Sequence, residues 1–516
     1  MDKICKSSIL SDLHCSVRGG NSTVKISPTG DAHADLFSDI QENEQLFKRV
    51  FLNCSDVSFR EITTDGKVRL LLIYVANMVN AEELNTNILK PLFYEGLPQG
   101  LDSVNSISQM LEQSRFSVLH VMTSSNVSGI VECVLRGHVA ILVDGEASAI
   151  VADVTNFETR TIGEPSEEAT LRGSRESFTE LLTTNTTMMR RIFATPDLKM
   201  EQLTLGKYTK TEVVITYLEG VVDLSVLDEV RKRVKRIRID GILESGYIEE
   251  SIEDTHFSPF PQILNSERPD VVAAGLLEGK VAILTNGTPI ALIVPMTFWA
   301  GLQAPDDYFE RFLFVTLNRW IRYMFVLISV FLPSIYIALT DFNPEMVPAK
   351  LMLSIAALRE KAPFPTVIEV FMMEFVFEAL REAGIRLPRQ IGPLVSIVGA
   401  LVIGEAAVRA GIISAPIVII VPAAGISSFV IPRYSFSFPM RILRFPMLIL
   451  AGLFGLFGIA IGIIAILIHL IHLQPFGTPY LSPVAPLKKG KLKDVLMRWP
   501  HKLTRKSEPV PEADHP

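Results

Sequence analysis

The chain has 516 residues, is 48% hydrophobic and has a positive mean hydropathy, so it is too long and too apolar for one ordinary soluble domain. Its formal net charge of −7 gives no ground for a nucleic-acid partner. The four cysteines, Cys5, Cys15, Cys54 and Cys133, have neither metal-ligand spacing nor the look of a disulfide framework, and free cytosolic thiols are expected.

The first residues, "MDKICKSSILSDLHCSVRGG", lack the apolar core of a secretory signal, which places the first domain in the cytoplasm. Residues 1–36 read as a flexible N-terminal arm, polar and poor in large apolar side chains between 19 and 34. From 37 to 310, short β-branched runs alternate with helix-like segments, the pattern of an α/β or α+β domain.

That soluble half carries a duplication. "GHVAILVDGEASA" (137–149) aligns without a gap to "GKVAILTNGTPIA" (279–291), with seven identities in thirteen positions. Both read as hairpins turning at Asp144-Gly145 or Asn286-Gly287, pairs that tolerate positive φ. A helix is expected before each, in "VSGIVECVLRG" and "PDVVAAGLLEG". Upstream, "KVRLLLIYVANMVNAEEL" matches "KTEVVITYLEGVVDLSVL" and sets Tyr74 opposite Tyr217. The period of about 142 residues implies two lobes, 37–160 and 200–310, rather than a solenoid of about 20–50-residue repeats. Between them, 161–199 reads as a polar linker followed by a helix ending near Arg190 and Arg191. The basic run "RKRVKRIRI" (231–239) is either a solvated helix face or subunit contact, or a surface for anionic headgroups.

Beyond "RWIRYM" the composition turns apolar, and 311–473 reads as a polytopic α-helical membrane domain. About five hydrophobic segments are expected, at 323–339, 366–380, 391–408, 411–431 and 445–473. Counted with the positive-inside rule, five crossings keep the soluble domain and the arginines around 381–389 and 433–444 inside. They put the basic, Pro-rich tail, 474–516, outside, which the rule disfavours, so its side stays open.

Within the second segment Glu374 and Glu378 share a helix face, Glu369 lies round from them, and Arg381 is placed to pair with Glu378. Charges facing lipid cost several kcal/mol, so these four form a candidate intramembrane charge network, serving either as structural ion pairs or as a polar conduit. In the third segment Val398, Val402, Glu405 and Arg409 recur on one stripe, a candidate pore or gate if copies of this helix surround an axis. Packing within a lone bundle explains the same stripe. The last segments are interrupted by Pro416, Pro422 and Pro432 and carry a glycine ladder, Gly452, Gly455, Gly458 and Gly462. His469 and His472 read as interfacial rather than as metal ligands. Without a phosphate loop, zinc motif or nucleophile elbow, no enzyme activity, cofactor or metal is expected.

The stretches "EPSEEATLRGSRESFTELLTTNTTMMRRIF", "PDVVAAGLLEGKVAIL", "LPSIYIAL", "PFPTVIEVFMMEFVFEALREAGIRLP" and "IVGALVIGEAAVRAGIISAPIVIIVPAAGISSFVIP" resemble the A subunits of GerA-type spore germination receptors. The resemblance reaches from the first lobe to the fifth segment. It implies a subunit of a nutrient germinant receptor in the inner spore membrane, a homo-oligomer surrounding an ion pathway. Its implied partners are membrane lipid, a transporter-like B subunit and a lipoprotein C subunit. Two departures stand out: Ser174 and Ser177 where the family usually has Pro and Gly, and Glu405 where an uncharged polar residue is commoner. The competing functional readings are a secondary transporter with regulatory lobes and a non-conducting scaffold.

Overall fold

The computed structural model describes residues 35–64, 68–89, 121–155, 165, 168, 172–385, 392–487 and 494–499. The arm expected over 1–36 lies, except for its last two residues, outside the described residues. Those two already belong to the first lobe: Leu36 is buried and its N–H donates to the Ser125 carbonyl at 2.9 Å.

The first lobe places α1 (Ile40–Val50) before β1 (Val57–Thr64) and β2 (Val68–Val75), followed by β3 (Val121–Ser124), α2 (Val127–Leu135), β4 (Val139–Val143) and β5 (Ala149–Ala152). The second has α3 (Leu182–Ile192), β6 (Leu198–Leu205), β7 (Thr211–Leu218), α4 (Leu224–Arg236), α5 (Gly246–Ile252), β8 (Leu264–Ser266), α6 (Pro269–Leu277), β9 (Val281–Thr285) and β10 (Ala291–Val294). Each forms a five-stranded antiparallel sheet, ordered β1-β2-β4-β5-β3 and β6-β7-β9-β10-β8. Every residue of β4, β5, β9 and β10 is buried, because these strands are covered on both faces; apart from Thr285 their sequences are accordingly continuous apolar runs.

The two sheets agree in register. Ile141 opposes Ile150 as Ile283 opposes Leu292, and Ile73 opposes Ala140 as Thr216 opposes Ala282. Both hairpin glycines take positive φ, 92° at Gly145 and 90° at Gly287. Each glycine N–H donates to the chain leading into the lobe's first helix, at Ser38 (2.9 Å) and Glu180 (2.8 Å). Buried Asn43 and Asn185 bind the backbone of Phe37 and Thr179 in the same two-way manner.

The helix expected between the lobes, α3, makes with the second lobe the contacts that α1 makes with the first. Its place is fixed by Asn185 and the Gly287 turn. The lobes meet where the Ser55 N–H donates to Met200 and the Met200 N–H to Asn53 (3.1 and 2.8 Å). Beside this contact Arg190, fully buried, forks onto both Asp56 oxygens at 2.8 Å and donates to the Thr195 carbonyl at 2.9 Å.

The helical region follows: α7 (Phe312–Ile337), α8 (Ala349–Arg359), α9 (Thr366–Ile385), α10 (Gly392–Arg409), α11 (Ala415–Phe429) and α12 (Tyr434–His472). Among the described residues, two helices, Phe312–Phe342 and Tyr434–His472, are long and apolar enough to cross a membrane, and Ala415–Phe429 is a shorter apolar helix. The stretch 445–473, expected as one segment, is not one rod. Gly455 (φ 59°, ψ −138°) adopts a conformation closed to side-chain-bearing residues and turns the chain back on itself. A Cβ at Gly458 would overlap the Leu450 carbonyl, so the limbs 434–454 and 456–472 pack against each other.

As a result His469, near the end of α12, returns to the second lobe, where its Nε2 lies 2.9 Å from Ser258 Oγ. The following segment stays there. The Tyr480 hydroxyl donates to Pro261 (2.9 Å), the Trp299 indole to Leu481 (3.1 Å) and the Tyr308 hydroxyl to Asp494 (2.8 Å). The tail thus leaves on the side of the lobes, the outcome that five segments did not give.

Arg190→Ala should strand the Asp56 carboxylate, at a cost of about 3–5 kcal/mol. Hydrogen exchange on the intact chain should then show faster exchange at the Ser55 and Met200 amides, with β4 and β9 still protected. Unchanged exchange at those two amides would mean that other contacts join the lobes.

Candidate functional site

An arginine inside an apolar bundle must bring its own partners, because no water is at hand to solvate it. Arg444 on α12 does so: Nη1 donates to Glu374 at 2.6 Å, Nε to the Ser329 carbonyl at 2.8 Å and Nη2 to the Ala424 carbonyl at 3.3 Å. One guanidinium thereby joins α7, α9, α11 and α12. Both Glu374 and Arg444 are buried, and Glu374 Oε1 has no hydrogen-bond partner among the described residues.

One turn toward the lobes, Glu378 receives Arg441 Nε at 3.1 and 3.2 Å and also its Nη2, while Arg381 Nη1 lies 3.6 Å from the same carboxylate. Arg381 donates to the Gly425 carbonyl (3.0 Å) and Ser428 Oγ (2.8 Å), and its guanidinium lies 5.2 and 4.4 Å from the Phe377 and Phe429 ring centres. Of the four charged residues singled out in the sequence, Glu374, Glu378 and Arg381 thus gather. Glu369 stands apart at the other end of α9, buried, accepting the Ser414 N–H (2.7 Å) at the start of α11, where a helix N-terminus favours an anion.

The sequence pattern presents Arg441 and Arg444 only as positive charge on a loop. They lie within α12 and neutralise the carboxylates of α9. The available signal was their spacing of three within "RILRFP", which puts both on one helix face.

The other expected stripe faces outward. Val402 is 58% exposed, and Glu405 and Arg409 form an exposed i,i+4 pair at 2.6 Å on α10. Val398 lies on the same helix, but its side chain is outside the described residues. Among the described helical residues, then, Glu374 and Glu378 are met by arginines of the same chain and Glu369 by a backbone N–H, whereas this stripe is left on the surface.

A polar collar joins the lobes to the helices. Glu168, in the interlobe segment, pairs with Arg433 at the start of α12 and accepts the Ser266 hydroxyl at 2.6 Å. Burial pushes its carboxyl above the ordinary range against the pull of Arg433. Buried Arg268 forks onto Asp270 (3.0 and 2.6 Å) and donates to the Glu168 and Ser174 carbonyls (3.2 and 3.0 Å). Arg319 and Arg322, near the start of α7, are buried and share Asp307 (3.1 and 3.0 Å). In the basic run, Arg231 engages Glu201, and Arg233 holds Glu229 (2.8 Å) and Asp254 (2.5 Å), so the lobe's own acids take up these two charges.

The family model described as Bacillus/Clostridium GerA spore germination protein matches residues 45–509. An uncharacterized membrane protein of Bacillus subtilis, YfkQ, is 44% identical over 90% of this chain and 89% of its own length. Spore germination protein KA of the same organism is 41% identical over 86% of this chain and 82% of its own, and spore germination protein B1 is 37% identical over 90% and 95%. Among solved structures, the N-terminal domain of the A subunit of the Bacillus megaterium spore germinant receptor GerK3 is 33% identical, with a TM-score of 0.41, covering 52% of this chain and 98% of that one.

Arg444→Ala should leave Glu374 buried and unpaired and lower stability by about 3–5 kcal/mol. The thermal midpoint of the detergent-solubilised protein should fall by several degrees, and replacing Arg444 and Glu374 together with methionine should recover most of the loss. A single variant as stable as its parent would show that the pair does not hold the bundle.

Proposed function

The chain belongs to the Bacillus/Clostridium GerA spore germination protein family, and from that premise we propose that it is the A-type subunit of a nutrient germinant receptor, forming with further copies of itself a gated ion pathway in the spore inner membrane. Its partners in this reading are the transporter-like B subunit and the lipoprotein C subunit, and the two lobes, related by duplication, lie in the cytoplasm. The limbs of α7, α9, α10, α11 and α12 cross the bilayer six times, which returns the tail to the cytoplasmic side, as the positive-inside rule favours.

The observation that carries the reading is the division of charge in the helical region. Glu374 and Glu378 are neutralised within the chain, so they do not need a water-filled conduit. The exposed Val402, Glu405 and Arg409 stripe is different: a charged pair on that surface is costly against lipid and favourable when several α10 helices face one another around water. Val402, and Val398 four residues before it, then form a constriction that closes by dewetting, with Glu405 one turn away as a charged ring. Opening requires two helix arrangements of similar energy, and nutrient binding elsewhere in the receptor must favour the open one.

Two measurements test this. Reconstituted with its partner subunits in liposomes, the receptor should release ions on nutrient addition without stoichiometric solute uptake, and Glu405→Gln should lower cation flux several-fold while assembly persists. Coupled uptake would indicate a transporter, and no flux from an intact complex would indicate a scaffold. Separately, cysteines at Met122 in the first lobe and Leu496 in the tail should react with impermeant reagent from the same side of the membrane. Opposite sidedness would remove the six-crossing arrangement.

A further inference from the structure

The second lobe presents a phenylalanine that nothing in the fold explains. Phe257 is 100% exposed, in the connection between α5 and β8. A floppy loop would make this trivial, but the connection is braced. The Asp254 N–H donates to the Gln262 side-chain oxygen (3.2 Å), Gln262 Nε2 donates to the Thr255 carbonyl (2.9 Å), the Ser258 N–H donates to the Thr255 carbonyl (3.3 Å), and the Phe260 N–H to Ser258 Oγ (3.2 Å). The phenyl group therefore projects from a built turn, and its exposure forgoes roughly 1.5–3 kcal/mol of burial.

What surrounds the turn identifies the partner. Ser258, the next residue, meets His469 Nε2 at 2.9 Å, and the Phe260 ring lies 5.9 Å from the His469 ring. His469 sits at the lobe-side end of the returning limb of α12, whose Leu467, Ile468 and Ile471 are exposed. Those side chains are the lipid-facing surface in the reading above, on which this inference rests. Asp254 accepts the Phe476 N–H just beyond the limb (2.8 Å), fixing the turn from its other side. The exposed phenyl thus belongs to a turn held against the lobe-side end of that apolar limb.

We propose that the turn at 255–258 is a membrane-interface anchor: Phe257 inserts into the cytoplasmic headgroup–acyl boundary beside the end of α12 and so fixes the second lobe against the bilayer. Aromatic side chains are enriched at that level, and shallow insertion removes the phenyl from water without a protein pocket. A turn tied to both α12 and the lobe then holds the two at one height.

The test uses the full chain with Cys5, Cys15, Cys54 and Cys133 replaced by serine and one new cysteine, Phe257→Cys or Leu467→Cys, carrying a nitrobenzoxadiazole label. Each is reconstituted in vesicles with or without phospholipid bearing a nitroxide high on its acyl chain. Both positions should lose about half their emission to the nitroxide lipid, as expected for a group ~5–10 Å into the boundary. Quenching at 467 without quenching at 257 overturns the anchor while leaving the membrane assignment intact. Disulfide cross-linking between copies through unlabelled Phe257→Cys, without lipid quenching, also overturns it and makes the turn a subunit contact. Quenching at neither position removes the membrane assignment and the anchor together.

Discussion

An ionised side chain removed from water is stabilised by an opposite charge and by hydrogen bonds to its polar atoms, and this constraint shapes the helical half of the molecule. Arg444, on α12, meets it by bonding to three other helices at once. Its guanidinium pairs with Glu374 and caps carbonyls of α7 and α11, so the relative height and rotation of these helices are set by one side chain. The neighbouring Glu378, Arg441 and Arg381 repeat the arrangement a turn away. For α12 to supply both arginines and still end beside the second lobe it must reverse, and Gly455 permits the reversal.

The same ionic principle joins the helices to the lobes. Glu168 with Arg433, and Asp307 with Arg319 and Arg322, sit where the chain passes between the second lobe and the bundle. One apolar cluster runs without a break from the second lobe, through Leu276, Ala282 and Met296, to Val330 and Leu448 in the bundle. The first lobe is attached through the Arg190 fork and the Met200 backbone bridge. A contiguous physical route therefore leads from the first lobe to the helix that carries the arginine pairs, and the segment after α12 closes it by returning to Tyr308 and Trp299.

Much of this was legible in the sequence. The hairpin repeat was legible as β4 with β5 and β9 with β10, because a buried strand and an Asp-Gly or Asn-Gly turn leave a dense local signature. The matching first helices were harder to see: α1 and α3 are identical only at Asn43/Asn185 and Arg49/Arg191, and the asparagines' role is a backbone contact that many polar sequences could imitate. Buried carboxylates on α9 were evident from composition, since three acids in an apolar run demand partners. Their partners were harder to identify. Arg441 and Arg444 precede a long apolar run, so a charge count treats them as a loop, and only the packing of α12 against α9 brings them inside. The reversal at Gly455 was hidden for a similar reason: a glycine ladder reads equally as close helix packing and as a break.

Whether copies of the chain enclose a pathway depends on where the exposed charged stripe of α10 points. The most direct measurement is pulsed electron paramagnetic resonance on the assembled receptor in lipid, with nitroxides at Val402 or, for comparison, at Phe375 on the exposed face of α9. Labels at Val402 should give a narrow set of inter-copy distances shorter than any between labels at Phe375. Absence of dipolar coupling at Val402, or shorter distances at Phe375, would contradict an arrangement of copies around α10.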